Sequence, residues 1–133
     1  MADSLWMKLR KVPWEKFPAN PGTDKKVAKI LENMASRKEP RAMKASHELW
    51  SALCGGAIAP AAEASIPFLA EILKISPVAV QSEILDMFLK FATADSEKLM
   101  VQLLHISPAI KKLTYSRDEI VADKAMRLLK LLA

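Results

Sequence analysis

GGAIAPAAEASIPFLAEIL, residues 55–73, decides the fold. Two glycines and a few small apolar residues lead through a proline into a run that reads as helix. Such a stretch is either a glycine loop that cradles a phosphate or a turn between two packed helices. A phosphate loop needs a strand before the glycines and a helix after them, with Lys-Ser/Thr behind the glycines in the P-loop form. The residues before Gly55 are PRAMKASHELWSALC, residues 40–54, with apolar positions Met43, Leu49, Trp50 and Leu53 at helical spacing. Ala57-Ile58-Ala59 follows, with neither a lysine nor a hydroxyl. The stretch therefore reads as a turn between helices.

Working outward, the same punctuation recurs. FPANPGT, residues 17–23, precedes a helix in which Val27, Ile30, Leu31 and Met34 repeat at helical spacing, with Thr23 placed to cap it. RKEP breaks that helix, and Pro40 suits a first helical position. Gly55-Gly56 stops the next. Pro60 opens AAEASIPFLAEILK, where the internal Pro67 predicts a kink because it lacks one backbone N–H. Ser76-Pro77 opens VAVQSEILDMFLKFA, Asp95 or Ser96 caps SEKLMVQLLH, and Ser116-Arg-Asp-Glu119 reads as a capping box before IVADKAMRLLKLLA.

Alternate helices start near 24, 60 and 96, and near 40, 77 and 117. A helical hairpin repeated at about 36–40 residues lies in the range of HEAT and armadillo units, and about three repeats suffice for a stacked core. Ile-Ser-Pro at 75–77 and 106–108 marks a break and a restart in each place. The predicted fold is all-α: a single domain over residues 1–133, a right-handed HEAT/armadillo-like α-solenoid of about three hairpins with a short N-terminal helix.

Composition agrees. The 133 residues are 51% apolar and 26% charged, with three glycines and 6% aromatics, a mixture that favours helix over a β-sandwich. One cysteine, Cys54, excludes an internal disulfide and suits a reducing, cytoplasmic setting. The start, MADSLWMKLRKV, has charges where a signal peptide is apolar. No apolar run approaches the roughly 20 residues of a membrane span. The net charge of +5 is uneven: residues 1–44 hold eleven Lys/Arg against five Asp/Glu, residues 45–110 three against seven, residues 111–133 six against three.

No residue pattern reaches a catalytic or metal centre, and no cofactor is expected. His47-Glu48 begins like a zinc-protease helix, but the fourth residue after His47 is Ser51 rather than a second ligand. Cys54 lies seven positions after His47, about 10 Å of helical rise, too far for a nucleophile–base pair. Met7, Met34, Met43, Met87, Met100 and Met126 read as core filling. Trp50 reads as packed inside its hairpin, and Trp14 stands between packing and an interface.

KVPWEKF, VAKILENM, RAMKASHELWSAL and the opening stretch together resemble a group of bacterial HEAT-like repeat proteins. In that group a Trp-containing segment leads into a short helix, followed by an "ALxxLW" helix and a "HQGTVYPATAAAVPFLxELL"-like segment. Ala45, Leu49 and Trp50 stand in the first of these, and Gly56, Ile58, Pro60, Ala61, Pro67, Phe68 and Leu69 in the second, over about residues 12–75. Cys54, Gly55, Ala57 and Ala59 depart from the group's polar or aromatic residues. Proteins of this kind often accompany polymorphic toxins as immunity proteins. The resemblance implies a non-enzymatic, cytoplasmic antidote, a monomer or weak homodimer, that binds a cognate protein toxin such as a nuclease delivered by a neighbouring cell, for instance through type VI secretion. The expected contact face is the second helix of each hairpin (40–54, 77–91, 117–132), with Glu48, Glu83, Asp86, Lys90 and Asp123 as partner-binding residues. The alternative is a nucleic-acid-binding repeat protein using the basic first third, Lys8 to Lys44.

Overall fold

The computed structural model describes residues 5–19, 26–55 and 57–133. Among these the chain is helical throughout: α1 (Leu5–Lys11), α2 (Val27–Met34), α3 (Glu39–Cys54), α4 (Ala61–Ile75), α5 (Val78–Ala92), α6 (Glu97–His105), α7 (Ser107–Leu113) and α8 (Glu119–Leu132), with one 3-10 turn at Trp14–Lys16 and no strand. None of these helices is long and apolar enough to cross a membrane.

The helices pack in two rows. Helix α2 touches α4 and α4 touches α6; α3 touches α5 and α5 touches α8. The rows meet through α2 against α3, α4 against α5 and α6 against α8. Helix α5 sits at the centre, against α3, α4, α6 and α8, and its apolar stripe Val80, Ile84, Leu85, Met87, Phe88 and Phe91 is buried. Small residues let the backbones approach: Ala42, Ala45 and Ala52 of α3 and Ala61 and Ala62 of α4 are buried. The two buried serines spend their hydroxyls locally, Ser46 donating to the Met43 carbonyl and Ser65 to the Ala61 carbonyl, each at 2.7 Å.

Several local expectations are revised. The Thr23 cap lies outside the described residues. Pro40 is the second residue of α3, not the first, and Gly55 closes that helix with a right-handed φ of −69°, while Gly56 lies outside the described residues. Pro67, where a kink is expected, lies inside a helix that continues past it, and stands on the exposed side where water can meet the freed Glu63 carbonyl. Ser96 caps α6 by accepting the Leu99 N–H, and Asp95 before it takes the left-handed conformation at φ 54°. The capping box at 116–119 is shifted: Asp118 is the cap of α8, its Oδ1 accepting the Val121 N–H at 2.9 Å. Ser116 instead accepts the Asp118 N–H at 3.1 Å. Ser36 does the same for Lys38 ahead of α3, also at 3.1 Å. Ser-Arg-x-Glu thus opens both α3 and α8. At 75–77 Ile-Ser-Pro separates two long helices through an extended Ser76, whereas at 106–108 it only offsets the short α7 from α6.

The N-terminal helix is docked. Leu9 is buried, and the Lys8 ammonium lies 2.8 Å from Glu71 of α4. Trp14 belongs to the same packing: its indole N–H donates to the Leu9 carbonyl at 2.8 Å and its ring lies 6.1 Å from that of Phe68. Met34 and Met87 are core, but Met7 and Met126 are about half exposed, at 46% and 51%.

Candidate functional site

The question raised by residues 55–60 is answered by the hydrogen bonds around them. The Ala59 N–H donates to the Leu53 carbonyl and the Ala61 N–H to the Pro18 carbonyl, both at 3.0 Å. The Ala62 and Glu63 N–H groups donate to Ala59 and Pro60. A phosphate loop presents such N–H groups to a ligand; here they hold the end of α3, the start of α4 and the N-terminal segment together.

A cavity lies elsewhere, on the outer side of the α3–α5–α8 row. It is a groove of about 1030 Å³. His47, Trp50 and Ser51 of α3 form one wall, Glu83, Asp86, Leu89, Lys90 and Thr93 of α5 the floor, and Arg127, Lys130 and Leu131 of α8 the other wall. The spacing follows from helical geometry: on α5, steps of three and four residues from Glu83 keep one face outward while Ile84, Leu85 and Phe88 face the core. The three helices run in the same direction. His47 Nε2 lies 3.5 Å from Glu83, and further along the same pair of helices Lys90 acts on Cys54. On the other side Lys124 Nζ meets Ser82 at 2.7 Å and Asp86 at 2.9 Å, and the next turns bring Lys90 and Thr93 to the groove shared with Arg127 and Leu131.

Charge is graded along this groove. Its first half carries Glu83 and Asp86, its second half Lys90, Arg127 and Lys130. Asp86 is matched by Lys124, whose side chain is only 16% exposed, and Arg127 by Asp123 at 3.0 Å. Lys90 and Lys130 have no carboxylate partner among the described residues. Cys54 lies under this end, buried; its thiol is pushed up from 9.0 to about 11 by burial, against the opposing pull of Lys90. It is a core side chain, not a poised nucleophile.

A second cavity of about 610 Å³ opens between Ala57–Pro60 and the α5–α6 turn, lined also by Glu63, Ser96 and Lys98. Lys90 and Thr93 line both cavities. Among the described residues no group of three or more His, Cys, Asp or Glu side chains is placed to hold a metal ion.

Of the residues expected to bind a partner, Glu83, Asp86 and Lys90 come together in the groove. Glu48 does not line it, because on α3 the positions turned to α5 are 47, 50, 51 and 54. Asp123 stands outside the lining and reaches the groove only through Arg127. The sequence reading missed the apolar half of the site, Trp50, Leu89 and Leu131. Trp50 is half-buried, packed against the core on one side and open to the groove on the other. An aromatic one turn after His47, on the same side of α3, was the available signal. None of the described basic residues of the first third lines the groove: Lys8 is paired with Glu71, and Lys29 lies 3.9 Å from Glu32.

Compared with known proteins, the chain matches no family model, no curated protein and no solved structure.

Proposed function

We propose that this chain is a HEAT/armadillo-like α-solenoid whose task is to bind another protein, and that it is the cytoplasmic immunity protein of an antibacterial toxin. What carries the reading is the groove on α3, α5 and α8: a half-buried tryptophan and two leucines between charged side chains of both signs. That combination matches the centre of a protein–protein contact, where buried aromatic and arginine residues dominate the binding energy. The two rows of helices support the solenoid, since the α2–α3 pair packs on α4 and α5, and these in turn on α6 and α8. The partner class, a toxin, comes from the resemblance carried by Ala45, Leu49, Trp50 and Pro60 to Leu69. Inhibition would follow from occlusion, with the toxin's active site or a surface it needs covered by the groove face.

The test is co-expression with the product of the adjacent gene in the source bacterium. The reading expects the two chains to co-purify and growth to be rescued from a neighbour that kills its host alone. Trp50→Ala is expected to weaken capture by about 30-fold or more, the loss typical of a central aromatic anchor. A harmless neighbour that does not co-purify removes the reading.

A further inference from the structure

Resting on that reading, we infer that the partner enters the groove as an amphipathic helix of about three turns lying antiparallel to α5, with acidic residues in its first turn and basic residues in its last. The walls and floor are side chains of three helices whose own backbone groups are bonded internally. They offer no free row of N–H and C=O groups to an extended strand. A segment that loses water there must satisfy its backbone within itself, which a helix does. The dimensions agree: from Glu83 to Thr93 the floor is about 15 Å long, three helical turns.

Direction follows from charge. Among the described residues Lys90 and Lys130 at the C-terminal end of the row have no carboxylate partner, while Glu83 at the other end lies 3.5 Å from His47. Acidic side chains of an incoming helix fit beside the lysines and basic ones beside Glu83. Acids at a helix N-terminus and bases at its C-terminus are also what the helix dipole favours. An antiparallel helix satisfies both conditions, and it opposes the aligned dipoles of α3, α5 and α8. Trp50, Leu89 and Leu131 then receive its apolar stripe at steps of three and four residues.

A displayed library of helical peptides tests this, with a fixed Leu/Met stripe and terminal turns randomised among Glu, Lys and Ser, selected on the full chain. Selected peptides are expected to carry Glu in the first turn and Lys in the last. The best of them, measured by anisotropy, should bind about tenfold better than its charge-swapped counterpart. Lys90→Glu with Lys130→Glu should erase that preference, and adding Glu83→Lys should invert it, with circular dichroism confirming folded variants. Failure to select any binder, selection without charge polarity, or indifference to the lysine variants overturns the inference. A concentration-dependent dimer of the chain that Trp50→Ala abolishes assigns the groove to a second copy and also overturns it. Toxin capture that depends on Trp50 while the peptides show no polarity leaves the inhibitor reading standing and removes this one alone.

Discussion

Cys54 links a single buried thiol to the pH dependence of the fold. Its folded pKa of about 11 lies above the 9.0 of the free group, so the native state holds the proton more tightly than the unfolded chain. The stabilisation is complete below pH 9 and is lost as pH rises through 11, to the extent of about 2–3 kcal/mol. Urea midpoints of the native chain should therefore fall more between pH 8 and 10.5 than those of Cys54→Ala, and thiol-directed reagents should label the protein slowly until it unfolds. Lys124 gives a second residue-level expectation. Its ammonium joins Ser82 and Asp86 across the α5–α8 contact. Lys124→Met keeps the apolar stem but leaves Asp86 alone, at an expected cost of about 1–2 kcal/mol. A cycle with Asp86→Asn isolates the coupling between the two. At this scale the sequence was legible where one helix dictates the answer, as for Glu83, Asp86 and Lys90 on the outer face of α5. It was not legible where exposure depends on a neighbour: Trp50 and Met126 sit in apolar patterns, yet one opens to a groove and the other to solvent because of how α3 and α8 are seated.

At the scale of elements, Pro67 stands seven residues into α4 with its face exposed. Pro67→Ala restores the N–H to the Glu63 carbonyl, and the gain exceeds the loss of chain stiffness in the unfolded state. It should raise stability by about 1–2 kcal/mol in denaturant melts. Asp118→Ala removes the α8 cap and should cost about 1 kcal/mol, with Asp118→Ser recovering most of it. The periodicity placed every long helix, because alternating apolar faces and proline or serine punctuation act locally. The cap of α8 moved two residues from its expected place because two competing oxygens, those of Ser116 and Asp118, stand near the same turn. Only the backbone path decides which of them reaches Val121. The restart read at Ile106-Ser107-Pro108 is where α7 begins, but the same tripeptide gives an extended break at Ser76 and only an offset at Ser107, a difference the shared residues do not encode.

For the whole molecule, α5 is the element on which both rows depend. Phe88 is fully buried and its ring lies 6.4 Å from that of Phe91. Phe88→Ala should cost about 3–5 kcal/mol, a large part of the 5–15 kcal/mol that holds a domain of this kind. The loss should appear as one lowered, cooperative transition by circular dichroism and fluorescence alike. The all-helical content was readable from the repeat spacing and punctuation, whereas the charge gradient across the groove was not. That gradient arises only when α3, α5 and α8, up to about eighty residues apart along the chain, are laid side by side. The order of packing also bears on time. Several closely packed pairs join helices adjacent or next but one along the chain, α2 with α3 and α4, α4 with α5 and α6, while α5 meets α8 across the two helices between them. The first of these pairs close short loops and can form early, whereas the α5–α8 contact and the Lys8–Glu71 pair, 63 residues apart, close longer ones. During synthesis, α2 and α3 meet as soon as residue 54 has emerged, long before α8 exists. The N-terminal pairs are in place before the groove is completed, because one of its walls is built from Arg127, Lys130 and Leu131 of α8.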